Sequence, residues 1–159
     1  MNGPLRPRYS VDTSALIDWL ERLYPEDAFP TLIQRVDQVI QAGRFSLSEE
    51  VWRESQAMDQ ATKHWCASRK KDIVVSTDAS IAAHAAGITQ QFPGLVNLST
   101  NKGGADPFVI AVALSRTATV ITGERRGTRN RPHIPDACDR FNVPCISFLG
   151  LIRQEGWKL

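Results

Sequence analysis

The stretch Arg8-Tyr9-Ser10-Val11-Asp12-Thr13-Ser14-Ala15-Leu16 decides the fold. Tyr9 and Val11 alternate with polar neighbours as a short strand does, and Thr13 or Ser14 can cap the helix announced by Leu16, Ile17, Leu20, Leu23 and Tyr24. Asp12 therefore falls at a strand-to-helix turn. In an open α/β sheet ligands gather at the carboxyl ends of the strands, so a carboxylate at that turn is a candidate for chemistry. Alone it is a weak signal, because an Asp before Thr-Ser also serves ordinary turns and caps. Its weight comes from later strand ends that repeat the arrangement.

Outward from this stretch, a proline at Tyr24-Pro25 ends the first helix, since the residue before a proline is pushed out of α geometry. A second amphipathic helix runs from about Thr31 with Leu32, Ile33, Val36, Val39 and Ile40 on one face and Gly43 at its carboxyl cap. Phe45-Ser46-Leu47 reads as a buried strand, followed by Ser48 as N-cap and by Glu49 and Glu50 where the helix dipole favours negative charge. Val51, Ser55, Met58, Ala61 and Trp65 keep a spacing of three and four, which predicts one continuous helix with Glu54 one turn inside it. Trp52 and Cys66 lie beside that stripe, which is expected to be core. Asp72 to Val75 is either a short strand or an extended connection. Asp78 is expected to cap a helix through Ile81, Ala82, Ala85 and Ala86 that stops at Phe92-Pro93. His84 on that helix is assigned no chemistry.

Residues 95–98 are open between strand and loop, and residues 99–104 read as a polar linker. Asp106 and Pro107 suit the N-cap and first position of a helix whose near-continuous apolar body, Phe108 to Leu114, implies burial. Ala118 to Thr122 is a buried strand ending at Gly123-Glu124. A short helix from Asp136, a strand from Val143 to Ser147 and a helix from Phe148 to Glu155 complete the chain. Strands alternating with helices predict a single α/β domain over residues 1–159. Its expected form is three layers, with a mostly parallel, twisted sheet between helices.

With 159 residues and 42% hydrophobic content, the chain can fill one ordinary core. A net charge of +2 means that nucleic-acid binding has to come from a local basic patch. Cys66, Cys138 and Cys145 are odd in number and lack zinc spacing, so they are expected to be buried thiols in a reducing compartment. No apolar run approaches the roughly 18 residues that span a bilayer, and the start lacks a signal-peptide core, so a soluble cytoplasmic protein is expected.

Asp12, Glu54, Asp106 and Glu124 all fall near strand ends or helix starts. If they share one crevice, two carboxylates ~4 Å apart at an effective dielectric near 20 repel by about 4 kcal/mol, so the cluster takes up protons or a cation. Oxygen ligands without His or Cys select Mg²⁺ or Mn²⁺ over zinc. A metal held in this way activates water for attack on a phosphodiester.

The order of these segments carries a family resemblance. Val11-Asp12-Thr13-Ser14-Ala15-Leu16, Ser48-Glu49-Glu50-Val51-Trp52-Arg53-Glu54, Ala105 to Ala113 and Val120-Ile121-Thr122-Gly123-Glu124 together resemble PIN domains. That group of metal-dependent ribonucleases includes bacterial toxins of the VapC type. Ile134-Pro135-Asp136-Ala137-Cys138 also looks like a PIN-like subgroup from toxin–antitoxin pairs. The resemblance spans nearly the whole chain through short motifs. It implies Asp12, Glu54 and Asp106 as acidic ligands, with Glu124, where many PIN domains place Asp, as ligand or water-orienting base. Thr13, Ser14 and Thr122 resemble hydroxyl positions that hold ligands or water. Glu50 fits the pattern less well than Glu54, and Asp136 is either a rim acid or a cap. A cognate antitoxin that blocks the crevice and a homodimer are implied partners.

Arg125, Arg126, Arg129 and Arg131 follow directly in a Gly- and Pro-containing loop. Such a loop is either solvated surface or, beside an acidic site, a hold on an RNA backbone. The expected activity is an endoribonuclease leaving phosphate on the 5′ side of the downstream product. The competing reading is a PIN-like binding or scaffold module that no longer cuts. A phosphatase-like hydrolase built on Asp12 is disfavoured, because Ser14 occupies the position of a second aspartate.

Overall fold

The computed structural model describes residues 4–97 and 104–159. The expectations for residues 98–103, most of the linker included, lie outside the described residues. Within them the chain runs β1 (Tyr9–Val11), α1 (Thr13–Ile17) with a π-helical continuation Asp18–Leu23, α2 (Pro30–Gln41), β2 (Phe45–Ser48), α3 (Glu49–Ser55), α4 (Gln60–Ile73) and β3 (Val74–Val75). It continues with α5 (Ala79–Gln91), a 3₁₀ turn Pro93–Leu95, α6 (Asp106–Arg116), β4 (Thr119–Ile121), α7 (Ile134–Arg140), β5 (Cys145–Ile146) and α8 (Phe148–Gln154).

The described strands form one sheet in the order β3-β2-β1-β4-β5, every pair parallel. Tyr9 stands opposite Phe45 on one side and Thr119 on the other, and Val120 opposite Cys145. From β1 the chain winds outward through β2 and β3, then returns to β4 on the other side of β1. The direction of winding therefore reverses between β1 and β4, and their carboxyl ends open a crevice.

The alternation of side chains along β1 assigns the two helix layers. Ser10 points to one face, where its hydroxyl donates to the Val109 carbonyl of α6 at 2.7 Å. α6 also touches α5 and α7, and its Val109 to Ala113 are buried. Tyr9 points to the other face, where its phenol donates to Glu155 at 2.7 Å, just beyond α8. There Trp19 stacks on Phe148 with ring centres 5.1 Å apart and meets Trp65 of α4 edge-on at 4.7 Å. Such contacts add about 0.5–1.5 kcal/mol each to the burial of the rings. Arg44 closes this face with a 2.5 Å ion pair to Glu155 and a 2.8 Å hydrogen bond to the Pro7 carbonyl. A sheet of parallel strands needs both faces covered, and the result is a three-layer α/β/α domain.

Four local readings change. The single helix expected from Ser48 through Cys66 is two, because Asp59 accepts from the Thr62 N–H at 2.9 Å and starts α4 anew after α3 has ended at Ser55. Asp12, not Thr13 or Ser14, caps α1. Asp106 is the first residue of α6 rather than its N-cap, a place taken by Ala105 without a side-chain bond. α7 begins at Ile134 and not Asp136, with His133 as its cap. Among the described residues no helix is long and apolar enough to cross a membrane.

Candidate functional site

Asp12 ends β1 with extended backbone and is 3% exposed. One carboxylate oxygen accepts from the Thr13 N–H at 2.8 Å; the other accepts from Ser14 Oγ at 2.5 Å and Thr122 Oγ1 at 2.9 Å. Ser14 Oγ in turn accepts from Gly123 N at 2.9 Å, and Thr122 Oγ1 from Glu124 N at 3.1 Å. Hydroxyls on α1 and just past β4 thus tie the two central strand ends to one carboxylate. Thr13 turns elsewhere, donating its hydroxyl to Glu54 of α3.

Glu124, one step beyond that turn, accepts at 3.0 Å from the N–H of Ile134, the first residue of α7. Gly123 permits the close approach, because a Cβ there would overlap Asp18 Oδ2 and lie 3.3 Å from the Ser14 carbonyl. Asp18 is a neighbour that the sequence did not single out; it lies one turn beyond Ser14, whose carbonyl accepts from its N–H, and so shares the helical face that Gly123 approaches.

Asp106 enters from α6. Freed from capping, its carboxylate receives no hydrogen bond from the described residues and is 9% exposed. Burial first, then the charges of Asp12, Glu124 and Glu54, push its carboxyl up to about 9. Burial also raises Glu54, against the Thr13 hydroxyl and with the help of the Asp12 charge. Glu124 is raised by burial and by Asp12 and Glu54, against the Ile134 N–H and the nearby His133. Asp12 is raised by burial despite its three donors. The four acids feel one another's charge, so residues from four different elements meet at one end of the sheet.

The acids do not form a finished cage. Among the described residues no three His, Cys, Asp or Glu side chains stand together as a metal-holding group. Asp12, Glu54 and Glu124 each rest on a protein donor, and among the described residues only Asp106 lacks one. The donor set, all carboxylate with hydroxyls behind it, is of the chemical kind that could hold a hard divalent cation.

Asp136 lies outside this group. Its carboxylate accepts from His133 N at 2.8 Å and Gly127 N at 2.7 Å, and these bonds with Arg126 outweigh desolvation and keep it below the usual range. It caps α7 and pins the arginine loop. Glu50 also faces away, toward Arg53 at 3.4 Å. In the loop, Arg126 pairs with Asp139, whereas Arg125, Arg129 and Arg131 are exposed and bind no acid among the described residues. The loop is knitted by Thr128 N to the Arg131 carbonyl at 3.0 Å and by His133 Nδ1 against the Arg125 carbonyl at 2.8 Å. A separate groove of about 770 Å³, lined by Glu49, Glu50, Ala82, Ala85 and Phe108 among others, contains none of the four acids.

Fold and site together define a parallel three-layer α/β domain with an acidic crevice at its topological switch point. Residues 9–159 match the family model described as a domain of unknown function, DUF4411, and the chain belongs to that family. No curated protein matches the chain.

Proposed function

We propose that this protein is a Mg²⁺- or Mn²⁺-dependent endoribonuclease of PIN type, acting in the cytoplasm as the toxin of a bacterial toxin–antitoxin pair. The observation that carries the reading is Asp106: a buried carboxylate with no donor among the described residues, set against three other acids, is the arrangement a divalent cation relieves. Asp12, Glu54, Asp106 and Glu124 would hold the ion. When bound, it supplies an activated water and offsets charge on the phosphodiester.

The chain's own groups do the rest. Ser14 and Thr122 fix Asp12, and Thr13 fixes Glu54, so these acids are oriented before substrate arrives. Glu124, anchored by the Ile134 N–H through one oxygen, keeps the other for water or metal. Arg125, Arg129 and Arg131 hold the RNA backbone against an otherwise repelling crevice. An antitoxin that covers the crevice and a homodimer are part of the same proposal.

A second reading, an RNA-binding module that no longer cuts, is favoured by one fact: three of the four acids already rest on protein donors. One experiment separates the two. Cleavage of single-stranded RNA with added Mn²⁺ is expected from the wild type and not from Asp12→Asn, which keeps its fold and its RNA binding. Equal cleavage by a nuclease-free Asp12→Asn preparation refutes the enzyme. RNA binding without cleavage or metal response in the wild type selects the module.

A further inference from the structure

Attack of water on a phosphodiester makes no use of the 2′-hydroxyl, so the hydrolysis proposed for this crevice would cut DNA as well as RNA. The choice of RNA then falls to a group that touches the 2′-hydroxyl, the feature by which a protein tells the two apart. Such a group needs a free hydrogen-bonding atom beside the acids. The hydroxyls of Thr13, Ser14 and Thr122 are engaged by Glu54 and Asp12, and Thr128 Oγ1 accepts from the Arg131 N–H at 3.1 Å. The arginines carry donors alone, which suit phosphate oxygens. His133 differs from all of these. It directly precedes Ile134, whose N–H holds Glu124 at 3.0 Å, and its own N–H donates to Asp136 at 2.8 Å. Its ring lies on the loop that follows Glu124: Nδ1 is 2.8 Å from the Arg125 carbonyl, and a Cβ on Gly127 would stand 3.1 Å from ring atoms Cγ and Cδ2. A carbonyl oxygen can only accept, so Nδ1 carries the ring proton. That leaves Nε2 of the neutral ring as an acceptor. The residue is exposed, and Nε2 has no partner among the described residues.

We propose that His133 selects RNA over DNA, its Nε2 accepting a hydrogen bond from the 2′-hydroxyl of a nucleotide held at the crevice. The inference rests on the RNA-cleaving reading and adds to it a group that reads the sugar. Two features set the ring before RNA arrives: the Arg125 carbonyl fixes its tautomer, and the bare Gly127 gives its face room. Arg125, Arg129 and Arg131 belong to the same loop, so one segment supplies both the phosphate contacts and the sugar contact. Asn130, the loop's other side chain able to accept, sits where its backbone carbonyl would lie 3.0 Å from a Cβ on Gly94 of the 3₁₀ turn, and it serves as the control. A single neutral hydrogen bond of this kind is worth about two- to tenfold in affinity.

The test measures equilibrium binding of a labelled single-stranded RNA of mixed sequence and of its 2′-deoxy counterpart with uracil retained, so that the two differ in the sugar alone. The binding protein is Asp12→Asn, with the second substitution added in that background and melting used to check the fold. Asp12→Asn should prefer the RNA by about two- to tenfold. His133→Ala, and His133→Leu as a variant that keeps bulk on Gly127, should abolish that preference by weakening RNA binding while 2′-deoxy binding stays within about twofold. His133→Gln, whose side-chain carbonyl accepts, should keep a preference, and Asn130→Ala should leave it whole. An unchanged preference in both His133→Ala and His133→Leu, or equal weakening for the two oligomers, overturns the proposal, the second outcome marking a phosphate contact. Wild type that cuts both oligomers equally with Mn²⁺ overturns this inference and leaves the nuclease reading standing. Wild type that neither binds nor cuts the RNA brings down both.

Discussion

Replacing Asp106 by Asn should make the metal-free protein more stable at neutral pH, an unusual result for a buried polar residue. The folded carboxyl titrates at about 9, raised from 3.8 by burial and three neighbouring acids. Between those values the folded chain keeps a proton that the unfolded chain has shed, so stability falls as pH rises through the window. One pK unit corresponds to about 1.4 kcal/mol, and from the unfolded value to pH 7 the accumulated cost is about 4 kcal/mol. Asn carries no such proton debt and is nearly isosteric. Urea unfolding with a chelator present should therefore show Asp106→Asn more stable by roughly 2–4 kcal/mol at pH 7, with the gain shrinking below about 1 kcal/mol at pH 4. Melting should rise by about 10 °C at pH 7, at roughly 2–4 °C per kcal/mol. An identical offset at both pH values, or a variant weaker at both, would show that the site does not burden the fold as described.

Manganese should reverse the burden. Saturation at about a hundredfold over Kd adds about 2.7 kcal/mol, visible as a higher melting temperature for the wild type and absent in Asp106→Asn. Arg44→Ala should lose about 3–5 kcal/mol in denaturant titrations, because it strands Glu155 where each side chain is 9% exposed; Arg44→Met should lose less. Gly123→Ala has to displace Asp18 or the Ser14 backbone, and should cost about 1–3 kcal/mol by thermal melting together with a loss of divalent response.

Period and punctuation made the architecture legible. Alternation at Tyr9 and Val11, the apolar body of Phe108 to Leu114, and caps such as Ser48 and Asp78 place their elements where the structure has them. The break between α3 and α4 was hidden, because Met58 and Ala61 extend the helical spacing of Val51 and Ser55 while the capping bond of Asp59 interrupts the backbone. Asp106 was misplaced by one residue for a related reason. Asp followed by Pro favours the cap position, yet Ala105 already has helical backbone and moves the start of α6 forward. That single step leaves the carboxylate unclaimed. The meeting of Asp12, Glu54, Asp106 and Glu124 is an inference from topology; the structure brings them within electrostatic reach of one another, but among the described residues it does not close three of them into a metal-holding group. The place of Asp18 beside Gly123 depends on how closely the turn after β4 approaches α1, which residue spacing does not encode.

The position of β1 has a consequence for biogenesis. Of the five described strands the one that leaves the ribosome before the others is the middle one, flanked by Phe45 on one edge and by Thr119 on the other. Until residues near 121 emerge, that second edge has no partner, and the carboxyl at position 106 has no neighbour from position 124. A nascent chain thus carries an open strand edge throughout the synthesis of the segment between β1 and β4, and is exposed to mispairing until β4 arrives.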